Sequence, residues 1–238
     1  MGTLSSLIEV TQLEMRYGLT RAVQGTSFSI GPGESVGLLG LNGAGKTSTL
    51  KALLGLYPVS KGSVTVFGHG PGSVAALKKI GFAPEDGCPP DYLTGQEYLQ
   101  FVASLKFRSH TVAPEVSELL NYFELDPKKS VRDYSKGMRR RLILAQALMA
   151  RPELVILDEP LNGLDPLMII KLRERLNQTT QQGSALLYSS HILSEVEKCC
   201  NRVIIMKEGR IVLDQSLEKL IQEFGSVENA FSRSVGTA

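Results

Sequence analysis

The sequence predicts an α/β protein in which a parallel sheet forms the core, an antiparallel β portion precedes it and a helical lobe is inserted in it. Three observations carry that reading. Gly40-Leu41-Asn42-Gly43-Ala44-Gly45-Lys46-Thr47 spells G-x-x-x-x-G-K-T, the phosphate-binding loop of P-loop NTPases. It lies between Ser35–Leu39, an apolar run suited to a buried strand, and Thr47–Leu54, apolar at helical spacing. Leu154–Leu157 is a continuous apolar run typical of a central parallel strand. From Thr94 to about Ala150 the pattern is helical and offers no convincing strand.

Taken in order, Leu7–Arg16 alternates apolar and polar residues, and Ser27–Ile30 is a strand candidate ahead of the Gly31-Pro32-Gly33 turn. Ser63–Phe67 is a strand closed by Gly68-His69-Gly70, and Leu77–Phe82 leads to Pro84-Glu85. The lobe opens on a capping box, Thr94-Gly95-Gln96-Glu97, and Asp126-Pro127 breaks its helical run. After Leu154–Leu157, Asp165-Pro166 supplies an N-cap with proline at the first helical position, and Gly183 closes that helix. Ala185–Tyr188 and Val203–Met206 are further buried strands, and Lys207-Glu208-Gly209-Arg210 turns the chain into Ile211–Leu213. Residues 7–224 are expected to form one domain, with the lobe at about 86–150. The stretch 225–238, small and polar, is expected to be a loosely ordered tail.

Composition excludes several classes. A net charge of +2 argues against a dedicated nucleic-acid binder, which would carry a concentrated basic excess. No apolar stretch approaches the roughly 20 residues that cross a bilayer, so service to a membrane would run through a partner. The three cysteines, two of them adjacent at Cys199 and Cys200, fit neither a disulfide framework nor a zinc spacing and suggest a reducing compartment. Met1–Ser6 matches the loose myristoylation pattern, read here as chance, and no secretory leader is expected.

The P-loop assigns the first chemistry. Its glycines let successive N–H groups curl inward toward a phosphate, and the following helix N-terminus adds positive potential. Lys46 would reach the β- and γ-phosphates and the Thr47 hydroxyl would ligate Mg²⁺. Asp158 and Glu159 follow an apolar run directly, which puts both at a strand's carboxyl end, where open α/β sheets bind ligands. Asp158 would hold Mg²⁺ through water and Glu159 would act as base on the water attacking the γ-phosphate. Tyr134-Ser135-Lys136-Gly137-Met138 precedes a helix; on its own Ser135 reads as a common N-cap.

The ordered set of motifs resembles the nucleotide-binding subunit of ABC transporters, over roughly Leu7 to Leu213. Gly40–Thr47 is similar to Walker A, Leu154–Glu159 to Walker B with its catalytic glutamate, and Tyr134–Met138 to the ABC signature. Asn162-Gly163-Leu164-Asp165 is similar to the D-loop, and His191 to the switch histidine. The resemblance implies that Tyr17 stacks on adenine, although packing at a strand edge is the other reading of that ring. It implies an ATP site of Tyr17, Gly40, Asn42, Gly43, Ala44, Gly45, Lys46, Thr47 and Ser48, completed by Ser135, Gly137 and Asp165. Glu159, His191 and Lys46 are the implied catalytic residues, and Thr47, Glu85 and Asp158 the implied Mg²⁺ set.

Two departures from the family pattern stand out. L-S-G-G-Q is here Tyr-Ser-Lys-Gly-Met, and Glu85 stands where a glutamine is usual. Both resemble a bacterial branch whose members mostly export drugs, polysaccharides or other compounds. The resemblance implies two copies packed head to tail, so that Ser135 and Gly137 of one meet the γ-phosphate held by Lys46 of the other. It further implies a separate membrane-embedded permease, a place on the cytoplasmic face of the inner or plasma membrane, and no nucleic-acid partner or direct membrane insertion. A soluble ATPase of the same type, acting as a mechanical switch on a ribosome, DNA or protein complex, is the alternative. Such members usually carry two motif sets or long coiled coils, and this chain has one set and neither addition.

Overall fold

Ser35–Leu39 (β3) stands at the centre of the larger of two sheets in a computed structural model that describes residues 6–106 and 113–236. The smaller sheet is antiparallel, built from β1 (Ile8–Tyr17), β2 (Thr20–Ile30) and β4 (Lys61–Val66) in the order β2-β1-β4. The larger contains β5 (Ile80–Ala83), β6 (Leu154–Asp158), β7 (Ala185–Ser190), β8 (Arg202–Lys207) and β9 (Arg210–Ser216), in the order β5-β6-β7-β3-β8-β9. All its neighbours are parallel except β8 and β9, which are joined by the Glu208-Gly209 turn. Both turn residues have positive φ, 50° and 76°, the backbone that a tight hairpin of this twist demands.

The larger sheet is covered on both faces, which is why its strands read as unbroken apolar runs. Leu154 and Ile156 point to one core with Ala185, Leu187, Ile204 and Met206; this core is shared with the small sheet and with α1 (Lys46–Leu53). Val155, Leu157, Leu186, Tyr188, Val203 and Ile205 point to the other, under the helices that follow β5. Period-two alternation within each strand sorts these residues between two buried layers rather than between core and water. A short helix, α2 (Val74–Leu77), leads into the edge strand β5.

The lobe is helical, as expected: α3 (Gly95–Lys106), α4 (Ala113–Tyr122) and α5 (Lys136–Leu148). The capping box at its start is formed. Glu97 Oε2 accepts from the Thr94 N–H at 2.8 Å, and the Glu97 N–H donates to Thr94 Oγ1 at 3.2 Å. The part of the expected helical run over 107–112, with His110 in it, lies outside the described residues, as do 1–5 of the myristoylation-like start and the last two positions of the expected tail.

Beyond the lobe, α6 (Pro166–Gln181) follows β6, and α7 (Leu193–Cys199) links β7 to β8. The chain then departs from expectation. In place of a loosely ordered tail after 224, α8 (Leu217–Phe224) is followed by α9 (Val227–Val235). Ser226 Oγ caps α9 by accepting from the Asn229 N–H at 3.1 Å, and the Val227 N–H donates to Glu197 Oε1 on α7 at 2.7 Å. Val227 and Ala230 are buried, with Phe231 and Val235 against the same core. The tail is ordered because α7 offers it both an apolar face and an acceptor for its first N–H.

Candidate active site

The P-loop takes its shape from two close approaches. Gly45 has φ 103°, and a Cβ there would lie 2.5 Å from the Ala22 carbonyl oxygen on β2. Only glycine fits a left-handed backbone pressed against a neighbouring strand. Behind the loop, the Gly209 N–H donates to the Ala44 oxygen at 3.0 Å, and the Gln24 N–H donates to the Gly209 oxygen at 2.8 Å. The β8–β9 turn thus braces the loop against the small sheet.

A cleft of ≈ 470 Å³ opens over this loop, walled by Tyr17, Thr20–Ala22, Leu41–Ser48, Glu85 and Glu159. The structure therefore brings together Tyr17, Asn42, Gly43, Ala44, Gly45, Lys46, Thr47, Ser48, Glu85 and Glu159 of the expected set. The Tyr17 ring sits 4.3 Å from that of Tyr57, tilted by 50°, which fixes it at the cleft's edge. Both readings of Tyr17 are thereby compatible: it packs at a strand end and presents a ring to the cleft. Thr20, Arg21 and Ala22 were not expected at the site. They reach it because β2 passes beside the P-loop, a pairing no local pattern announces.

Lys46 and Glu159 face each other across the cleft floor. Lys46 Nζ donates to the Gly40 oxygen at 2.7 Å and lies 3.5 Å from Glu159 Oε1. Both side chains are more than nine-tenths buried. His191 Nδ1 lies 2.8 Å from the other carboxylate oxygen, Oε2. An imidazole protonated at Nδ1 donates there and leaves Nε2 as an acceptor. Glu159 Oε1 accepts no hydrogen bond from the described residues, although it is buried. A carboxylate so placed, oriented by His191 on one oxygen and without a hydrogen bond on the other, which faces Lys46, has acceptor capacity left for a proton from a water. Glu159 itself has φ 46°, a left-handed backbone that costs a non-glycine residue on the order of 1–2 kcal/mol.

Asp158 is the last residue of β6 and lies deeper. Its Oδ1 accepts from Ser189 Oγ at 2.9 Å, the residue paired with it on β7. Glu85 Oε1 accepts from Asn162 Nδ2 at 3.0 Å, tying the loop after β5 to the turn after β6. A Thr47 hydroxyl with the Glu85 and Asp158 carboxylates is an all-oxygen donor set, which suits Mg²⁺. No group of three or more His, Cys, Asp or Glu side chains among the described residues could hold a metal ion by itself.

Gly40, Asp158 and His191 do not line the cleft but adjoin Lys46 and Glu159, which do, and three further expected residues lie elsewhere in the same chain. Ser135, Gly137 and Asp165 are not in the cleft wall. Ser135 Oγ caps α5 by accepting from the Met138 N–H at 3.2 Å, and Asp165 Oδ1 caps α6 by accepting from the Met168 N–H at 3.0 Å. That bond from Met168 is the main reason the Asp165 carboxyl is held below its ordinary pKa. A Cβ on Gly137 would lie 2.7 Å from the Gly163 oxygen, so the two helix starts pack together.

Sequence comparison places these motifs in a family. The model of the family described as ABC transporter matches residues 23–162. An ABC transporter ATP-binding protein of Nostoc sp., itself uncharacterised, is 40% identical over 205 residues, 84% of this chain and 61% of its own length. The Nod factor export ATP-binding protein I of Burkholderia pseudomallei is 37% identical over 220 residues, 90% of this chain and 72% of its own. The chain thus spans well under the full length of the Nostoc relative. Among solved structures, an ATP-binding subunit of an ABC transporter superposes with a TM-score of 0.90 at 30% identity, covering 96% of this chain and 99% of the other. Sequence, loop order and fold agree on one assignment: the chain belongs to the ATP-binding subunits of ABC transporters, a family of ATPases.

Proposed function

We propose that this chain binds MgATP in the cleft over the P-loop, hydrolyses it between two copies of itself, and drives export through a separate membrane permease. The observation that carries the chemistry is the Lys46–Glu159–His191 line, with contacts of 3.5 and 2.8 Å meeting on one buried carboxylate. Lys46 holds the β- and γ-phosphates, the P-loop N–H groups surround them, and Tyr17 stacks on adenine. Thr47, Glu85 and Asp158 would hold Mg²⁺, which would supply neutralisation of the phosphate charge. Glu159 takes the proton of the attacking water, and His191 holds that carboxylate in place while Nε2 faces the γ-phosphate.

Dimerisation is supported by the separation of Ser135 and Gly137 from the cleft. A capped helix start that presents spare N–H groups is an anion site. In a head-to-tail pair it closes the partner's cleft. The permease is supported by apolar side chains left exposed near the lobe: Tyr92 in the loop after Glu85, and Phe101 and Leu105 on α3. No described helix is long and apolar enough to cross a membrane; in this reading the permease supplies the span and holds the chain at its cytoplasmic face. Export, rather than import, rests on the Nod factor export relative and on the Glu85 and signature variants.

The test is copurification. Tagged chain from gently solubilised membranes should bring down, at matched stoichiometry, a hydrophobic protein with about six spanning segments. Recovery only in the soluble fraction, on ribosomes or alone, would replace the transporter with the soluble switch.

A further inference from the structure

Arg140 lies on α5 in a run of three arginines, Arg139-Arg140-Arg141, and is only 5% exposed. Its guanidinium bonds main-chain oxygens only. Nε donates to the Pro160 oxygen at 3.0 Å; Nη2 donates to the Asp158 and Glu159 oxygens at 2.8 and 2.9 Å. Nη1 donates to the Pro84 oxygen and, at 3.4 Å, to the Glu85 oxygen. A guanidinium has five N–H groups in a fixed fork, and here each has a carbonyl. Its partners fall on two loops, one carrying Glu85 and the other carrying Asp158 and Glu159. No described carboxylate pairs with it within ion-pair distance, so its charge is held by oriented peptide dipoles.

We propose that Arg140 is a positioning residue for hydrolysis: it locks the backbone around Glu159 and couples the lobe helix α5 to both loops of the core site. The inference rests on the reading of Glu159 as base. Carbonyls at 158, 159 and 160 converge on one guanidinium, which sets the peptide planes on both sides of Glu159. Those planes fix the left-handed φ of 46° and so aim the carboxylate at Lys46 and His191. The same side chain holds the Glu85 backbone, and α5 begins at the Ser135 cap. Movement of α5 relative to the core must therefore carry these carbonyls with it or break their bonds. The lobe's orientation is thereby transmitted to the base and to a metal-loop carboxylate through one group.

Arg140→Met keeps the length and apolar stem and removes every donor. Arg140→Lys keeps the charge but has three donors on one atom for five carbonyls. Steady-state MgATP hydrolysis, the affinity for a fluorescent ATP analogue and the thermal midpoint would be measured on the full chain, with Glu159→Gln alongside. Arg140→Met should lose about 10- to 100-fold in kcat, the range seen when the outer partner that orients a metal ligand is removed. KM and analogue affinity should stay unchanged, with Arg140→Lys intermediate in kcat. Wild-type kcat in Arg140→Met, while Glu159→Gln is inactive, overturns the role of Arg140 alone. Loss of analogue affinity and thermal midpoint together with kcat, in both Arg140 variants, overturns it in favour of a purely folding role. Near-normal hydrolysis by Glu159→Gln removes the reading beneath it.

Discussion

Glu159→Gln tests the proposed chemistry with the least disturbance of shape. The amide keeps the volume of the carboxylate and a hydrogen bond to His191 Nδ1, now 2.8 Å from Oε2. What it removes is the basic oxygen and the charge facing Lys46 at 3.5 Å. A positioned general base contributes roughly 10²–10⁴ in rate, which is about 2.7–5.4 kcal/mol of barrier. The cost to folding is smaller. At 3.5 Å and an effective dielectric near 20, the gross attraction between Lys46 and Glu159 is about 5 kcal/mol. Most of that offsets the desolvation of two side chains that are each more than nine-tenths buried. Lys46 also keeps the Gly40 oxygen at 2.7 Å, so its charge is not left bare. A net change within about 1–2 kcal/mol, or roughly 2–8 °C in thermal midpoint for a chain of this size, is expected. Phosphate release should therefore collapse in a protein that melts nearly normally and still binds ATP. Phosphate release close to the wild-type rate would refute the assignment of Glu159.

Lys46→Ala removes a charge-assisted contact worth roughly 1.5–3 kcal/mol, so nucleotide affinity should fall by about one to two decades and turnover with it; unchanged affinity in a titration would remove Lys46 from the phosphates. Thiol labelling should separate the cysteines. Cys88 is exposed, whereas Cys199 and Cys200 are buried, and burial raises the Cys199 thiol to about 11 and the Cys200 thiol well above its usual value. Maleimide should modify Cys88 in the native chain and the adjacent pair only after unfolding; equal native rates would contradict the packing under α7. At acid pH, Glu97 and Asp165 should matter most. The Thr94 N–H and hydroxyl hold the Glu97 carboxyl below its ordinary value, and the Met168 N–H does the same for Asp165. The unfolded chain then binds more protons than the folded one, so the stability these caps contribute is present above about pH 4 and is lost as pH falls through the folded values. Glu97→Gln with Asp165→Asn should flatten the decline of thermal midpoint between about pH 5 and pH 3, and parallel curves would count against the caps.

What could be read from sequence was what is written locally. The P-loop, the Thr94 capping box and the Asp165-Pro166 helix start each need a few adjacent residues, and their geometry stands as the pattern demands. The continuous apolar strands were legible because burial on two faces removes the alternation that a half-exposed sheet would show. The rest depended on partners distant in the chain. Val227, Ala230, Phe231 and Val235 are spaced for a helix, but that spacing is short and interrupted by polar residues. It becomes a helix against α7, where Glu197 accepts the Val227 N–H. Arg140 was hidden for a related reason. Three consecutive arginines read as a solvated face, yet successive residues on a helix point about 100° apart, so one of the three turns inward. Thr20–Ala22 and the Gly209 brace reached the site through the approach of the small sheet and the β8–β9 turn to the P-loop.

The two glycine positions of the signature stretch, one kept and one replaced, are also explained differently by the fold. Gly137 has no room for a side chain, because a Cβ would meet the Gly163 oxygen at 2.7 Å. That glycine is required by packing between the starts of α5 and α6, whatever it does for a nucleotide. The residue before it carries no such constraint. Lys136 is exposed, and its stem leaves ordinary van der Waals room beside Gly163, since a Cβ added there would lie 3.7 Å from Lys136 Cγ. A lysine is therefore accommodated where the family has its first glycine, without displacing the turn after β6. In the proposed head-to-tail pair, this adds a cation to a helix start that is already an anion site. Glu85 changes the opposite way, adding a carboxylate where the family has an amide. The two departures thus alter charge at opposite sides of the proposed composite site while keeping the backbone on which both sides depend.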